Sequence, residues 1–231
     1  MINFLLQADT ARVLARVLEG DRNGDGELSW LELFMMGGWI MIPLAAMFLI
    51  AVFVFFERHI AIRKASRLDA NFMNIIRDHI VSGNVTAARS FAKNTNNPVA
   101  RIVDKGIQRI GKPINMIESS MENVAQLEMY NLERNLNFLT VISRAAPIFG
   151  FVGTLVGLMQ LFSQIYQANE LEIATISQGI YTKLITSITG LLIGLIAYLF
   201  YNYLHTQIEK SVNKMEVAAA DFLDVLQEPT R

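Results

Sequence analysis

The chain has 231 residues, 52% of them hydrophobic, with a formal net charge of -1 and no cysteine. Such a composition is too apolar for an ordinary soluble domain unless the excess sits in bilayer-length runs, and the near-neutral balance gives no global field for nucleic acid. The missing cysteines remove disulfides, thiolate metal sites and thiol nucleophiles together.

The opening MINFLLQADTAR has neither a basic flank nor a long apolar run, so it does not read as a cleaved signal peptide, and the first hydrophobic helix is expected to direct insertion. Residues 21–32, DRNGDGELSWLE, fit a calcium-binding loop of the EF-hand pattern. Asp21, Asn23 and Asp25 stand at its first, third and fifth positions, and Gly26 supplies the sharp turn. Glu27 offers a carbonyl, Ser29 the ninth position and Glu32 the bidentate closing oxygens. Val13, Leu14, Val17 and Leu18 give an entering amphipathic helix. The reading predicts bound Ca2+ at an affinity of about 0.1–1 mM, structural more than signalling. An acidic turn capping the next helix is the competing reading, because EF-hands ordinarily work in pairs.

Three runs exceed the roughly 20 residues that a helix needs to cross a hydrocarbon core of about 30 Å. They define an all-α integral membrane fold with three transmembrane helices and long cytoplasmic helical extensions. The expected organisation is an N-terminal segment 1–32, a first span 33–56, a helical region 57–137, a second span 138–166, a linker 167–175, a third span 176–204 and a C-terminal helix 205–231. Arg58, Arg63, Lys64 and Arg67 follow the first span and Lys210 and Lys214 the third, whereas the linker carries only Glu170 and Glu172. Basic flanks collect on the cytoplasmic side, so the N-terminus and the linker are expected outside and the 57–137 region and tail inside.

Turn signals at 82–84 (SGN), 94–98 (NTNNP) and 111–113 (GKP) divide the cytoplasmic region into short helices. From Pro113 on, Ile117, Met121, Val124, Leu132, Leu136 and Leu139 recur at helical spacing, which predicts one long helix rising straight into the second span. Val212, Met215, Ala219, Phe222 and Leu226 form a matching stripe in the tail. His59, His79 and His205 show no ligand spacing and read as ordinary polar or interfacial residues.

Gly150, Gly153 and Gly157 in the second span, and Gly190 and Gly194 after Thr186 in the third, form small-residue faces that let helix backbones approach. Packing of these two spans on each other within the chain would explain them; so would assembly. Thr154 and Ser163, with Thr182, Thr186, Ser187 and Thr189, add hydroxyls that either bond back to their own helices or line a pathway. No Asp or Glu lies inside a span, although proton transfer through a bilayer usually needs an ionisable group there. A proton pathway here would borrow its carboxylate from a partner. Lys183 reads as a snorkelling side chain or as a cation near a pore mouth.

From about residue 31 onward the order of features resembles the MotA/TolQ/ExbB proton channel family, and its ExbB branch in particular. The residues that carry the resemblance are MMGGWIMIPLAAMFLIAVFVFFERHIAI, NPVARIVDKGIQRIGKP, ENVAQLE, APIFGFVGTLVGLMQLF and GIYTKLITSITGLLIGLIAYLFYNYL. The resemblance implies a homopentameric ring in the bacterial inner membrane. Its second and third helices would surround an ExbD-like single-span partner that supplies an intramembrane aspartate, with protons as the coupling ion. It also implies delivery of work to a TonB-like protein, and it places Thr154, Thr186 and Ser187 toward the lumen, with Thr182 and Lys183 beside them. Ser187 stands where the family more often has threonine, and Lys183 and Arg144 depart from its small or apolar pattern. An enzyme is the least supported class, since no nucleophile–base pair or phosphate-cradling loop is present. A TolQ-like motor, a non-conducting scaffold and a calcium-responsive channel are the competing readings.

Overall fold

A computed structural model of the chain describes residues 39–66, 68–69, 71–168 and 173–227. Among them every regular element is helical: α1 (Met41–Ser66), α2 (Phe72–Val81), α3 (Val85–Asn94), α4 (Pro98–Ile107), α5 (Ile114–Glu133), α6 (Leu136–Ala168) and α7 (Ile173–Gln227). Three stretches are long and apolar enough to cross a membrane: Met41–Ser66, Leu136–Gln167 and Lys183–Gln227. Two compact units emerge, one from the described residues of 39–49 and 142–196, the other from those of 50–141 and 197–227.

The first unit is built from helix that is apolar on nearly every side. Ile40, Met41, Leu44, Ala146, Leu161 and Ile193 are buried, yet Ile148, Phe151, Leu155, Met159, Ile188 and Leu191 remain exposed. A helix apolar all round belongs in hydrocarbon or against other membrane helices, because water would oppose so much uncovered surface. α6 tolerates Pro147 in its interior where Gly194 of α7 leaves room. A Cβ at position 194 would lie 2.6 Å from Pro147 Cγ.

The second unit has a conventional core. α2, α3 and α4 pack in succession and α4 packs on α5. Both α3 and α4 start at an asparagine: the Asn84 side chain accepts from Ala87 N at 3.1 Å, and Asn97 accepts from Val99 N at 2.9 Å with Pro98 in the first turn. These caps satisfy N–H groups that a helix start otherwise leaves open. Gly83 (φ 77°) closes α2 in a left-handed turn that a side chain would strain. The predicted turns thus fall where helices end.

α4 turns Val99, Ile102, Val103 and Ile107 inward. Gly106 lets it settle on both neighbours, since a Cβ there would come within 2.5 Å of Phe222 Cε1 and 2.6 Å of Met121 Sδ. The predicted stripes meet at this point. Ile117, Met121, Leu132, Leu136 and Leu139 on one side, and Met215 and Phe222 on the other, are all buried. Arg101 adds a bidentate pair to the mostly buried Glu128, at 2.7 Å and 2.6 Å. Asn97, only 2% exposed, also donates from Nδ2 to Ala65 O of α1 at 2.8 Å.

The structure departs from the expectation of one unbroken helix into the second span. α5 stops at Glu133, Arg134 is extended (ψ 136°), and Asn135 takes φ 69° before α6 begins. Asparagine is among the few side chains that accept this left-handed conformation. α1 braces the break: Asn135 Nδ2 donates to Glu57 Oε2 at 3.4 Å, and buried Arg58 donates to Asn131 O at 3.5 Å. Leu132 and Leu136 stay buried across it, so the hydrophobic stripe keeps its spacing.

Replacing Asn97 by Ala should cost about 2 kcal/mol, one cap and one buried hydrogen bond. Asn97→Ser should keep a capping oxygen and lose only the tie to Ala65. Thermal unfolding followed by circular dichroism measures both, and equal midpoints for the two variants would show that the cap contributes nothing beyond that tie.

Candidate functional site

The contact between α6 and α7 begins from residues with little or no side chain. A Cβ on Gly190 would lie 2.6 Å from Ala146 O and 2.8 Å from Gly150 Cα, and one on Gly150 would meet Thr186 O at 3.0 Å. Such approach is open only to glycine, and it lets van der Waals contact hold helices together where lipid supplies no hydrophobic drive. Gly153 receives the Thr186 methyl, 2.7 Å from where its Cβ would be, with Ile40 beyond at 3.2 Å. Gly157 is covered by the aliphatic stem of Lys183. All five glycines singled out in the sequence, Gly150, Gly153, Gly157, Gly190 and Gly194, therefore face a neighbour within this one chain.

The hydroxyls follow from that closeness. Thr154, 8% exposed, donates from Oγ1 both back to Gly150 O at 3.2 Å and across to Lys183 O at 3.1 Å. A threonine hydroxyl has one proton and two lone pairs. With its proton shared between two carbonyls, Thr154 presents only acceptor capacity to any further group. Thr186 is buried against α6, at 1% exposure. Ser187 is half-buried on the same helix, and its carbonyl oxygen lies 3.1 Å from where a Cβ on Gly150 would be. Thr189 bonds back to Ile185 O at 2.9 Å. The Thr182 side chain lies outside the described residues.

Lys183 is half-buried, its stem on Gly157, whereas Arg144 of α6 is exposed. Two participants went unnoticed in the sequence: the Lys183 carbonyl, which a backbone atom cannot announce, and Ala146, which extends the small-residue row one turn from Gly150. The four-residue step from Ala146 to Gly150 was the signal that could have found it.

The calcium expectation is corrected. Calcium takes six to eight converging oxygens, and among the described residues no group of three or more His, Asp or Glu is placed to hold a metal ion. The loop of Asp21, Asn23, Asp25, Glu27, Ser29 and Glu32 lies outside the described residues. Its spacing is the whole of the case for calcium, and Ca2+ is not retained as a cofactor.

Residues 94–217, just over half of the chain, match the family described as the MotA/TolQ/ExbB proton channel family. The chain belongs to that family, a class of membrane proton channels and not of catalysts. It is 28% identical over 188 residues to a putative biopolymer transport protein ExbB homolog of Methanothermobacter thermautotrophicus, covering 81% of this chain and 67% of that one. A Synechocystis ExbB-like biopolymer transport protein is 26% identical over 171 residues, 73% of this chain and 81% of its own. The Tol-Pal system protein TolQ of Pseudomonas aeruginosa is 28% identical over 116 residues, 47% of this chain and 50% of its own.

Gly190→Ala should force α6 and α7 apart at a backbone contact and cost about 1–3 kcal/mol. A melting midpoint in detergent equal to that of the unaltered chain would refute the close approach.

Proposed function

We propose that this chain is the ring subunit of an ExbB-like, proton-driven motor in the bacterial inner membrane. A homopentamer would enclose the transmembrane helix of an ExbD-like single-span partner, and its motion would reach a TonB-like protein that energises outer-membrane transport. Family membership supports the class. The observation that carries the finer reading is a membrane wall with buried hydroxyls at Thr154 and Thr186 and no acidic residue in 41–56, 145–166 or 184–204. A channel whose own spans hold no carboxylate needs one from elsewhere.

Thr154 and Ser187 are the residues proposed to meet that carboxylate first, and Thr186, 1% exposed against α6, only once the two helices part, with Thr182 and Lys183 nearer the outer mouth. The hydrogen-bond direction at Thr154 gives the step a chemical basis. A carboxylate only accepts, and Thr154 has its one proton committed to Gly150 O and Lys183 O. The protonated acid can donate to the free lone pairs of Oγ1. Thr154 therefore receives the neutral partner more readily than the charged one, whose presence in an apolar lumen is costly in any case. Proton binding from one side of the membrane admits the acid to the wall; proton loss to the other expels it. Repetition around a ring converts proton flow into relative rotation.

In this reading the N-terminal segment and the 167–175 linker face the periplasm, and the 57–137 region and C-terminal tail face the cytoplasm, following their basic flanks. A TolQ-like role in envelope integrity is the second reading, favoured by the TolQ relatives. Rescue of strains lacking either system separates the two.

In vesicles containing the chain and its partner, Thr154→Val should lower proton flux about tenfold or more, through loss of one hydrogen bond in the rate-determining contact. Thr154→Ser, which keeps the hydroxyl, should retain most of it. Unchanged flux in the valine variant would count against this wall as the pathway.

A further inference from the structure

A second polar site lies within the other unit, where the apolar stretch of α1 gives way to charge. There α1 and α7 enclose a cavity of about 390 Å³ lined by His59, Ile62, Arg63, Ser66, Tyr203 and Gln207, together with Leu204. Its polar lining is rich in donors: a guanidinium, two hydroxyls, a side-chain amide and an imidazole. No carboxylate is among the described residues that line it. Lys214 brings a second cation to its end, with Nζ 3.3 Å from Ser66 Oγ and 3.2 Å from Ser66 O. That contact also offsets the partial negative charge of the α1 carboxyl end, which would otherwise repel an anion.

The surroundings are apolar and uncovered. Phe56 and Ile60 on α1 and Leu199 on α7 are 58%, 66% and 56% exposed. Phe55 stacks on Phe200 at 4.1 Å and sits beside His59 and Tyr203, so aromatic packing steadies two of the lining side chains. Arg63 follows Ile60 by one turn, about 4.5 Å along the axis. The headgroup layer on each face of a bilayer is about 5–7 Å thick. Acyl-compatible surface thus leads directly to a cationic, donor-lined recess at headgroup depth.

We propose that this cavity binds the phosphate of an anionic phospholipid, with Arg63 as the principal ligand, Tyr203, Ser66 and Gln207 as further donors, and Lys214 as a supporting charge. The phosphate chemistry alone would also suit a free anion; the exposed apolar border favours the lipid.

The test uses the full chain in neutral detergent micelles doped equally with phosphatidylglycerol and phosphatidylcholine, with bound lipid counted by native mass spectrometry. Phosphatidylglycerol should be retained about tenfold over phosphatidylcholine: the two share the phosphate, but the choline cation of the second is repelled by Arg63 and Lys214. Arg63→Gln should remove most of that preference, and Tyr203→Phe, which keeps the ring packing, should lower it about threefold. Lys64→Gln alters an exposed neighbour that does not line the cavity and should leave the preference intact. Equal retention of the two lipids, or equal loss in Arg63→Gln and Lys64→Gln, overturns the proposal. Release of phosphatidylglycerol by inorganic phosphate alone assigns the site to a free anion and overturns the lipid.

Discussion

The backbone contact between Gly150 and Gly190 is the constraint on which the membrane unit depends. Because neither residue carries a Cβ, a hydroxyl on α6 can reach a carbonyl on α7 at 3.1 Å, and Pro147 can be seated against Gly194. With ordinary side chains at these positions the helices would stand about 8–10 Å apart at their axes, and Thr154 would bond only to its own helix. Small residues here do more than permit packing: they decide which polar groups can meet.

The polarity that results is uncharged and directional. Thr154 satisfies its donor within the chain, so burial carries little penalty, while acceptor capacity stays available. The second unit arranges its polar contacts differently. Asn97 holds a cap and a tie to α1 at once, and Arg101 clamps Glu128 through two bonds. Both devices fix α4, which is the surface that receives Met121 and Phe222. Hydrophobic burial supplies the bulk of that core, and the polar contacts set its register.

What the sequence made legible was local or periodic. The three apolar runs, the turns at 82–84, 94–98 and 111–113, and the stripes through Met121 and Met215 all rest on composition or on spacing of three and four residues. The small-residue faces were visible too, although not their choice of neighbour, because self-packing and assembly leave the same pattern. The break at Asn135 was hidden for a physical reason. Leu132 and Leu136 keep a four-residue step through it, and the residues that stabilise it, Glu57 and Arg58, lie more than seventy positions away. The carbonyl partner of Thr154 was equally out of reach, since any residue type provides one. The EF-hand-like spacing shows the opposite hazard: a pattern complete in sequence states which oxygens could converge, not that they do.

The interruption at Arg134–Asn135 has a mechanical meaning. α7 is one uninterrupted helix from Ile173 to Gln227, and its hydrogen-bond ladder resists bending along its whole length. α5 and α6 are joined instead through two residues without helical geometry. A hydrogen-bond ladder interrupted at one point bends more readily there than an intact one, so the joint after α5 is softer than a stretch of α7 of the same length. The angle between α5 and the start of α6 is therefore set by the backbone at Arg134 and Asn135 and held from the side by Glu57 and Arg58 of α1.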